Sequence, residues 1–193
     1  ITTVSETHAR EITTPAYGFS LDEVLKEYDS KLTGITNGVD YAQWNPERDP
    51  HLEVNYTTET IALKQRLKNS LRNTVGLPQA ELPLIGMITR LADQKGLDEL
   101  VAPGYGVLPA ILNELPVQIV VLGTGEERYE YYLRHLARRF PNLAVVIGFS
   151  ERLAHQIEGG ADFLLMPSRY EPCGLTQMYS LRYGTLPIVT RAG

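Results

Sequence analysis

The stretch that decides the fold is VQIVVLGTGEERYEYYLRHLARRFPNLAVVI, residues 117–147. It opens with an apolar run, 117–122, of the length and β-branched composition typical of a strand buried on both faces. From Glu126 to Phe140 the apolar residues share one helical face and the arginines lie on the other. A second apolar run, 143–147, completes a βαβ unit, so the two strands are expected to be parallel.

The same alternation continues on both sides of this unit. Further apolar runs occupy residues 84–88, 163–166 and 186–189, and helix-like segments lie between the runs. The sequence therefore predicts an α/β fold, a Rossmann-like parallel sheet with helices on both faces. A helix is also predicted from Thr58 to Val75, and a capping box at Ser20 predicts a short helix near the start.

Composition and charge exclude several classes of function. The chain has 193 residues, of which 43% are hydrophobic and 21% charged, so neither disorder nor a fibrous structure is indicated. The formal net charge of −5 is unlike that of a protein with a broad basic surface for nucleic acid. No apolar run reaches the roughly 18 residues of a membrane span, so no membrane partner is predicted.

The single cysteine indicates a reducing compartment, and the spacing of the histidines indicates no metal site. Cys173 is the only cysteine and cannot form an internal disulfide, which favours the cytoplasm or a plastid stroma. His8, His51, His135 and His155 show no metal-binding spacing, so neither a metal site nor a cofactor is predicted. His135 and His155 are expected on helix surfaces, and nothing in the sequence indicates an oligomeric state.

Ligands of open parallel sheets bind beyond the carboxyl ends of the strands, so the loops there hold the candidate site residues. After the run 84–88, Arg90 and Lys95 could together neutralise a diphosphate. The alternative is that both are surface cations paired with Asp93 or Asp98.

The loop after the run 117–122 contains Gly123-Thr124-Gly125. A dinucleotide fingerprint would need a third glycine where Arg128 stands, so that motif fails. Two interpretations stay open for these glycines, a tight turn alone or close approach of the backbone to a ligand.

The most informative loop follows the run 163–166 and reads PSRYEPCGLTQ, residues 167–177. The amides of Gly174, Leu175 and Thr176 would lie at a helix N-terminus, which favours phosphate oxygens. Glu171 could accept hydrogen bonds from a sugar or face developing positive charge, which suits glycosyl transfer. Taken alone, Glu171 could also be a surface charge or a cap, and Cys173 is better interpreted as a packing residue than as a nucleophile.

These residues resemble a known family. SRYEPCGLTQ, residues 168–177, is similar to the S-R-[FY]-E-P-C-G-L-x-Q signature of bacterial and plastid glycogen and starch synthases. Residues 90–96 are similar to the family's R-L-x-x-Q-K-G, and residues 37–44 to its N-G-[IV]-D stretch with a following Trp. Residues 182–187 add a further match, and all four follow the family's order.

The resemblance implies a GT-B fold, in which two Rossmann-like domains face each other across a cleft. Residues 1–33 would be the tail of the N-terminal domain with the linker. Residues 34–193 would form the C-terminal domain that binds the nucleotide sugar. The chain would then be a fragment, incomplete at both ends and inactive alone, because the glycine-rich donor loop of the first domain is absent and no helix follows the last strand at 190–193.

The resemblance also implies an activity, the retaining transfer of glucose from ADP-glucose, or UDP-glucose, to the non-reducing end of an α-1,4-glucan. By position, Arg90 and Lys95 match the cations on the diphosphate, and Cys173 with Gly174–Thr176 matches the helix start beneath it. Glu171 matches the carboxylate near the glucose, and Phe149 matches an aromatic residue beside the nucleobase. A core position remains the alternative for Phe149.

The sequence departs from the family's pattern at two places and leaves rival functions open. Ser5-Glu6-Thr7-His8 stands where many members have S-P-T-Y, and an insertion at 103–106 breaks a helix that is usually continuous. The rivals are a non-catalytic nucleotide-binding module, another GT-B transferase with a different nucleotide sugar, and an NAD-dependent oxidoreductase.

Overall fold

The computed structural model describes residues 1–104 and 106–192 of the chain. Tyr105, inside the predicted insertion at 103–106, and Gly193, the last residue of the segment 190–193, lie outside the described residues. The strands are β1 (Thr2–Thr3), β2 (Thr33–Gly34), β3 (Leu84–Ile88), β4 (Gln118–Gly123), β5 (Leu143–Ile147), β6 (Phe163–Met166) and β7 (Leu186–Val189).

The five apolar runs form one parallel sheet, as predicted. Its strand order is β5-β4-β3-β6-β7, and Ile85 of β3 lies opposite both Ile119 of β4 and Phe163 of β6. All six residues of β4 are buried, which accounts for its continuous apolar character. The order runs outward in two directions from the neighbouring strands β3 and β6, so the point between them is the topological switch point of the sheet.

Helices connect the strands of this sheet and also occur in the first 34 residues of the chain. They are α1 (Glu6–Glu11), α2 (Asp22–Glu27), α3 (Lys64–Val75), α4 (Leu97–Val101), α5 (Leu108–Glu114), α6 (Glu127–Arg139), α7 (Glu151–Gly160) and α8 (Leu175–Arg182). Single 3₁₀ turns occupy Asp29–Lys31, Ile61–Leu63 and Asp93–Lys95. The break between α4 and α5 agrees with the predicted interruption near residue 103.

Alternate residues of β4 divide the core between the two faces of the sheet. Ile119 and Val121 pack with residues of α4, α5 and α6, whereas Val120 and Leu122 pack with residues of α3 and α7. Each strand side chain points to the face opposite its neighbour's, so one strand serves both cores. The prediction of helices on both faces is confirmed.

Three local predictions were wrong. The helix predicted from Thr58 begins as a 3₁₀ turn at Ile61 and becomes α-helical only at Lys64. Ser20 has φ +70°, in the left-handed region, and its side chain makes no cap for α2. His155, expected on a helix surface, is 1% exposed, because the segment before α3 covers that face of α7.

The first 34 residues form a small unit of their own beside the five-stranded sheet. β1 and β2 pair in parallel as a two-stranded sheet, and α1 packs against them. The predicted domain boundary between residues 33 and 34 falls inside β2. Within residues 1–104 and 106–192, no helix has the length and apolarity needed to cross a membrane.

Candidate active site

The carboxyl ends of β3 and β6 meet at the switch point, and the loops that follow them carry most of the predicted site residues. The loop after β3 contains Arg90 and Lys95, and the loop after β6 contains Glu171. Neighbouring parallel strands end at the same edge of a sheet, so these loops face each other. The amide of Arg169 donates to the backbone oxygen of Gln94 at 3.0 Å, which joins the two loops directly.

Lys95 and Glu171 form the central ion pair of this edge. The Lys95 Nζ donates to Glu171 Oε2 at 2.5 Å, and the two side chains are only 19% and 15% exposed. Ser168 Oγ donates to the same carboxylate oxygen at 3.1 Å. The alternative partners of Lys95 are occupied elsewhere, because Asp98 pairs with Arg169 and Asp93 with Arg128.

Arg90 lies at the rim of the same edge. Its Nη2 donates to Gln94 Oε1 at 2.6 Å, and the Gln94 Nε2 donates in turn to the backbone oxygen of Tyr170 at 3.0 Å. Gln94 therefore links the guanidinium to the loop that holds Glu171. The sequence contained Gln94 within the matched motif, but only the fold shows that it bridges the two loops.

The first turn of α8 borders a cavity that Arg90 and Lys95 also line. Gly174 is its N-cap, and the amides of the residues that follow begin the helix, where backbone N–H groups have no partner inside the helix. A cavity of about 220 Å³ opens here, bounded by Arg90, Lys95, Glu171 and Gly174–Thr176. A cavity with two cations and a helix N-terminus attracts anions.

A second, larger cavity continues from the first along the ends of β3, β4 and β5. Its volume is about 520 Å³, and Thr89 and Arg90 line both cavities. Phe149 stands at its wall and is 91% exposed, so the interpretation as a core residue is wrong. Leu122, Phe149 and Ala154 line this cavity but not the first and make it the more apolar of the two, which suits a flat heteroaromatic ring.

Gly123 at the end of β4 and Gly125 just after it allow the loops to pack together and also line the larger cavity. A Cβ at Gly123 would lie 2.0 Å from the Thr89 oxygen, and one at Gly125 would lie 2.3 Å from the Leu91 oxygen. Leu91 forms an isolated β-bridge with Gly125. Both interpretations left open by the sequence therefore have support, since the glycines make a tight contact and border the space for a ligand.

The N-terminal segment braces the loop that carries Glu171, a role that sequence reasoning missed. Ser5 Oγ donates to the Pro172 oxygen at 2.6 Å, and the His8 imidazole contacts the Tyr170 hydroxyl. Tyr17 stacks on Tyr170 with ring centroids 5.3 Å apart. Burial, with a smaller effect of the Glu11 charge, raises the pKa of the Tyr170 phenol. In the sequence, residues 5–8 show only a departure from the family's S-P-T-Y pattern, which gives no sign of this contact.

Cys173 is a partly buried free thiol next to the start of α8. Its backbone oxygen accepts a hydrogen bond from Gln177 Nε2 at 3.3 Å. This contact involves the main chain and not the thiol, and Cys173 is not among the residues that line the two cavities. Its assignment to the donor site stays a prediction.

Gly96 allows the backbone next to Lys95 to lie close to the loop after β6, so an alanine at this position should destabilise the fold. Gly96 has φ +73°, and an added Cβ would lie 2.1 Å from the Pro167 oxygen. We expect Gly96→Ala to lower the free energy of unfolding by about 2–5 kcal/mol, the sum of left-handed strain and overpacking. Urea-induced unfolding followed by circular dichroism measures this.

The matched control is Gly76→Ala at the end of α3. Gly76 has φ +76°, but nothing lies within 4 Å of its added Cβ, so only the backbone strain remains. We expect this variant to lose about 1–2 kcal/mol. Equal losses of unfolding free energy in the two variants would show that the contact with Pro167 does not contribute to the effect of Gly96→Ala.

Comparisons with known proteins agree with this architecture. The family model described as "Glycosyl transferases group 1" matches residues 72–193. The glycogen synthase of Treponema denticola is 48% identical over 194 residues, covering 100% of this chain and 40% of the relative. The glycogen synthase of Anaeromyxobacter dehalogenans is 51% identical over 195 residues, with the same two coverages.

A solved structure shares the fold over the whole chain. The catalytic domain of starch synthase IV from Arabidopsis thaliana, bound to ADP and acarbose, superposes with a TM-score of 0.89 at 36% identity. The match covers 100% of this chain and 39% of that structure. The chain thus spans about 40% of the length of the curated relatives it matches.

Proposed function

The chain belongs to the glycosyl transferases of group 1, and from this premise we propose that it forms the donor-binding part of a glucosyltransferase of the glycogen and starch synthase type. The reaction is the retaining transfer of glucose from ADP-glucose to the non-reducing end of an α-1,4-glucan. Residues 34–193 act as the domain that binds the nucleotide sugar, and residues 1–33 as the tail of the acceptor-side domain with its linker. The single cysteine favours a reducing compartment, the cytoplasm.

The observation that carries this proposal is the Lys95–Glu171 pair beside the first turn of α8. Glycosyl transfer separates charge, since the sugar becomes oxocarbenium-like while the leaving diphosphate gains negative charge. In this proposal Lys95, 2.5 Å from Glu171, lies towards the leaving diphosphate, and the Glu171 carboxylate lies towards the sugar. Groups fixed before the reaction stabilise such charges without further reorganisation.

The proposed roles follow from the positions of the groups. Arg90, Lys95 and the amides of Gly174–Thr176 border the smaller cavity and hold the diphosphate. Glu171 faces the glucose, accepting hydrogen bonds from its hydroxyls and stabilising positive charge at the reacting carbon. Lys95 is shared between Glu171 and the leaving oxygens, so it responds to the charge on both sides.

The nucleobase occupies the larger cavity in this proposal. That cavity adjoins the diphosphate site through Thr89 and Arg90, and its apolar wall suits stacking against Phe149. ADP is favoured over UDP because the starch synthase with the same fold and 36% identity is bound to ADP. The proposed reaction uses no metal and no cofactor.

Phe149 supplies affinity for the base and not catalysis. We expect Phe149→Ala to weaken ADP binding by about 1–3 kcal/mol, the usual value of one base–aromatic stack, with little change in kcat. Isothermal titration calorimetry measures the affinity. Tyr131→Ala is the control, because Tyr131 is an aromatic residue 65% exposed on α6 and lines neither cavity. Equal ADP affinity in both variants would refute the stacking role.

The test of the whole proposal is titration of the protein with ADP, UDP and NAD, repeated on the double variant Arg90→Ala, Lys95→Ala. We expect ADP to bind, and to bind far more weakly to the double variant. Stronger binding of UDP would favour a transferase with another nucleotide sugar. Binding of NAD alone would overturn the donor-site assignment. Turnover in a Glu171 variant distinguishes the transferase from a non-catalytic nucleotide-binding module.

A further inference from the structure

A second cluster of polar side chains lies outside the lining of the two cavities, where α7 meets the segment before α3. His51, Glu151 and His155 bring one possible ligand atom each within 4.8 Å of one another. None of the three lines either cavity. His51 is 104 positions from His155 in the sequence, so no short sequence motif could predict that the two side chains meet.

One ring nitrogen of His155 contacts a carboxylate, an arrangement that is common for histidines that bind metal ions. Its Nδ1 lies 2.7 Å from Asp49 Oδ2, which also accepts from the Tyr183 hydroxyl at 2.5 Å. Trp44 stacks on the imidazole with ring centroids 3.9 Å apart. A carboxylate on one ring nitrogen fixes the tautomer, so the other nitrogen presents its lone pair.

That other nitrogen is buried and unsatisfied. His155 is 1% exposed, and its Nε2 has no hydrogen-bond partner among residues 1–104 and 106–192. Buried polar atoms are normally paired, so such an atom calls for an explanation. A ligand that accepts the lone pair would supply one.

We propose that His51, Glu151 and His155 bind a divalent transition-metal ion, with Zn²⁺ as the best fit to the donor set. Two imidazoles and one carboxylate are a recurrent set of zinc ligands, which leaves a fourth position open to water. Gln43 Nε2 donates to Glu151 Oε1 at 2.9 Å and serves as the outer partner of that carboxylate. This site is independent of the proposed transferase activity.

The geometry requires a modest closure around the ion. Ligand atoms on one tetrahedral Zn²⁺ lie about 3.3–3.5 Å apart, given bond lengths of about 2.0–2.2 Å. His155 is fixed by its contacts, whereas Glu151 is exposed and His51 is half-buried, so the latter two can rotate inward. The bound ion would tie the segment around His51 to the first turn of α7, next to Phe149.

The test is calorimetric titration of the metal-free protein with ZnCl₂, supported by visible absorption of the Co²⁺ form. We expect one Zn²⁺ per chain and a higher melting temperature with Zn²⁺ present. His51→Ala and Glu151→Gln should each weaken binding by about 10–100-fold, the cost of losing even an outer-shell partner. Both side chains reach the surface, so these variants should fold, which circular dichroism checks.

His135→Ala is the control, because His135 is an exposed histidine on α6 outside the cluster. It should leave Zn²⁺ affinity and the thermal shift unchanged. Equal affinities in the wild type and both cluster variants would overturn the site, as would an affinity that depends on His135. Absence of Zn²⁺ binding to the folded wild type would overturn it too.

Discussion

Lys95→Ala in the full-length protein is expected to lower kcat by about 10²–10³-fold, the usual loss when one fixed donor to a developing anion is removed. Lys95 is mostly buried, and its Nζ lies between Glu171 and the cavity at the start of α8. An alanine removes the charge there and also leaves the Glu171 carboxylate without its cation. Initial rates of glucose transfer from ADP-glucose to a glucan measure the loss.

The same substitution should weaken ADP binding as well. A hydrogen bond to a charged group contributes about 1.5–3 kcal/mol, so the Kd for ADP should rise by about 10–150-fold. Arg134→Ala is the matched control, since it removes an exposed cation on α6 that pairs with Glu130 and lines neither cavity. Wild-type kcat and Kd in Lys95→Ala, with the fold intact by circular dichroism, would remove Lys95 from the proposed site.

Glu171→Gln is expected to lower kcat by about 10³-fold while leaving ADP binding no weaker than in the wild type. The amide keeps the shape of the side chain and can still accept from Ser168, but it lacks the charge that faces the sugar. ADP binding persists because Lys95, freed from its carboxylate partner, keeps its charge for the diphosphate. Rate assays and calorimetry on one preparation provide both values.

The split between turnover and binding is what distinguishes a catalytic carboxylate from a structural one. Glu114→Gln at the exposed end of α5 is the control and should change neither value. A wild-type rate in Glu171→Gln would favour the non-catalytic nucleotide-binding module. Loss of ADP binding together with the rate would instead indicate that Glu171 maintains the loop after β6.

The strands and the longest helix could be predicted from the sequence because their signals are local. Each buried strand is a short apolar run, and α6 shows one apolar face along its length. The predicted bounds of these elements differ from the observed ones by at most one residue, as with β4 at Gln118–Gly123. The capping box predicted at Ser20 does not form. The Leu21 amide donates instead to the Gly18 oxygen, which closes a turn in which Ser20 has a left-handed conformation.

By itself, the sequence determined the class of fold, the family and the residue types in the candidate site. These follow from periodicity and from contiguous motifs, which do not depend on how distant segments meet. Only the tertiary structure decided which of those residues touch. Lys95 meets Glu171 across 76 positions because β3 and β6 are neighbours in the sheet. His51 meets His155 across 104 positions because the segment before α3 packs against α7. Alternation of strands and helices is compatible with several strand orders, so contacts of this kind become visible only in the folded chain.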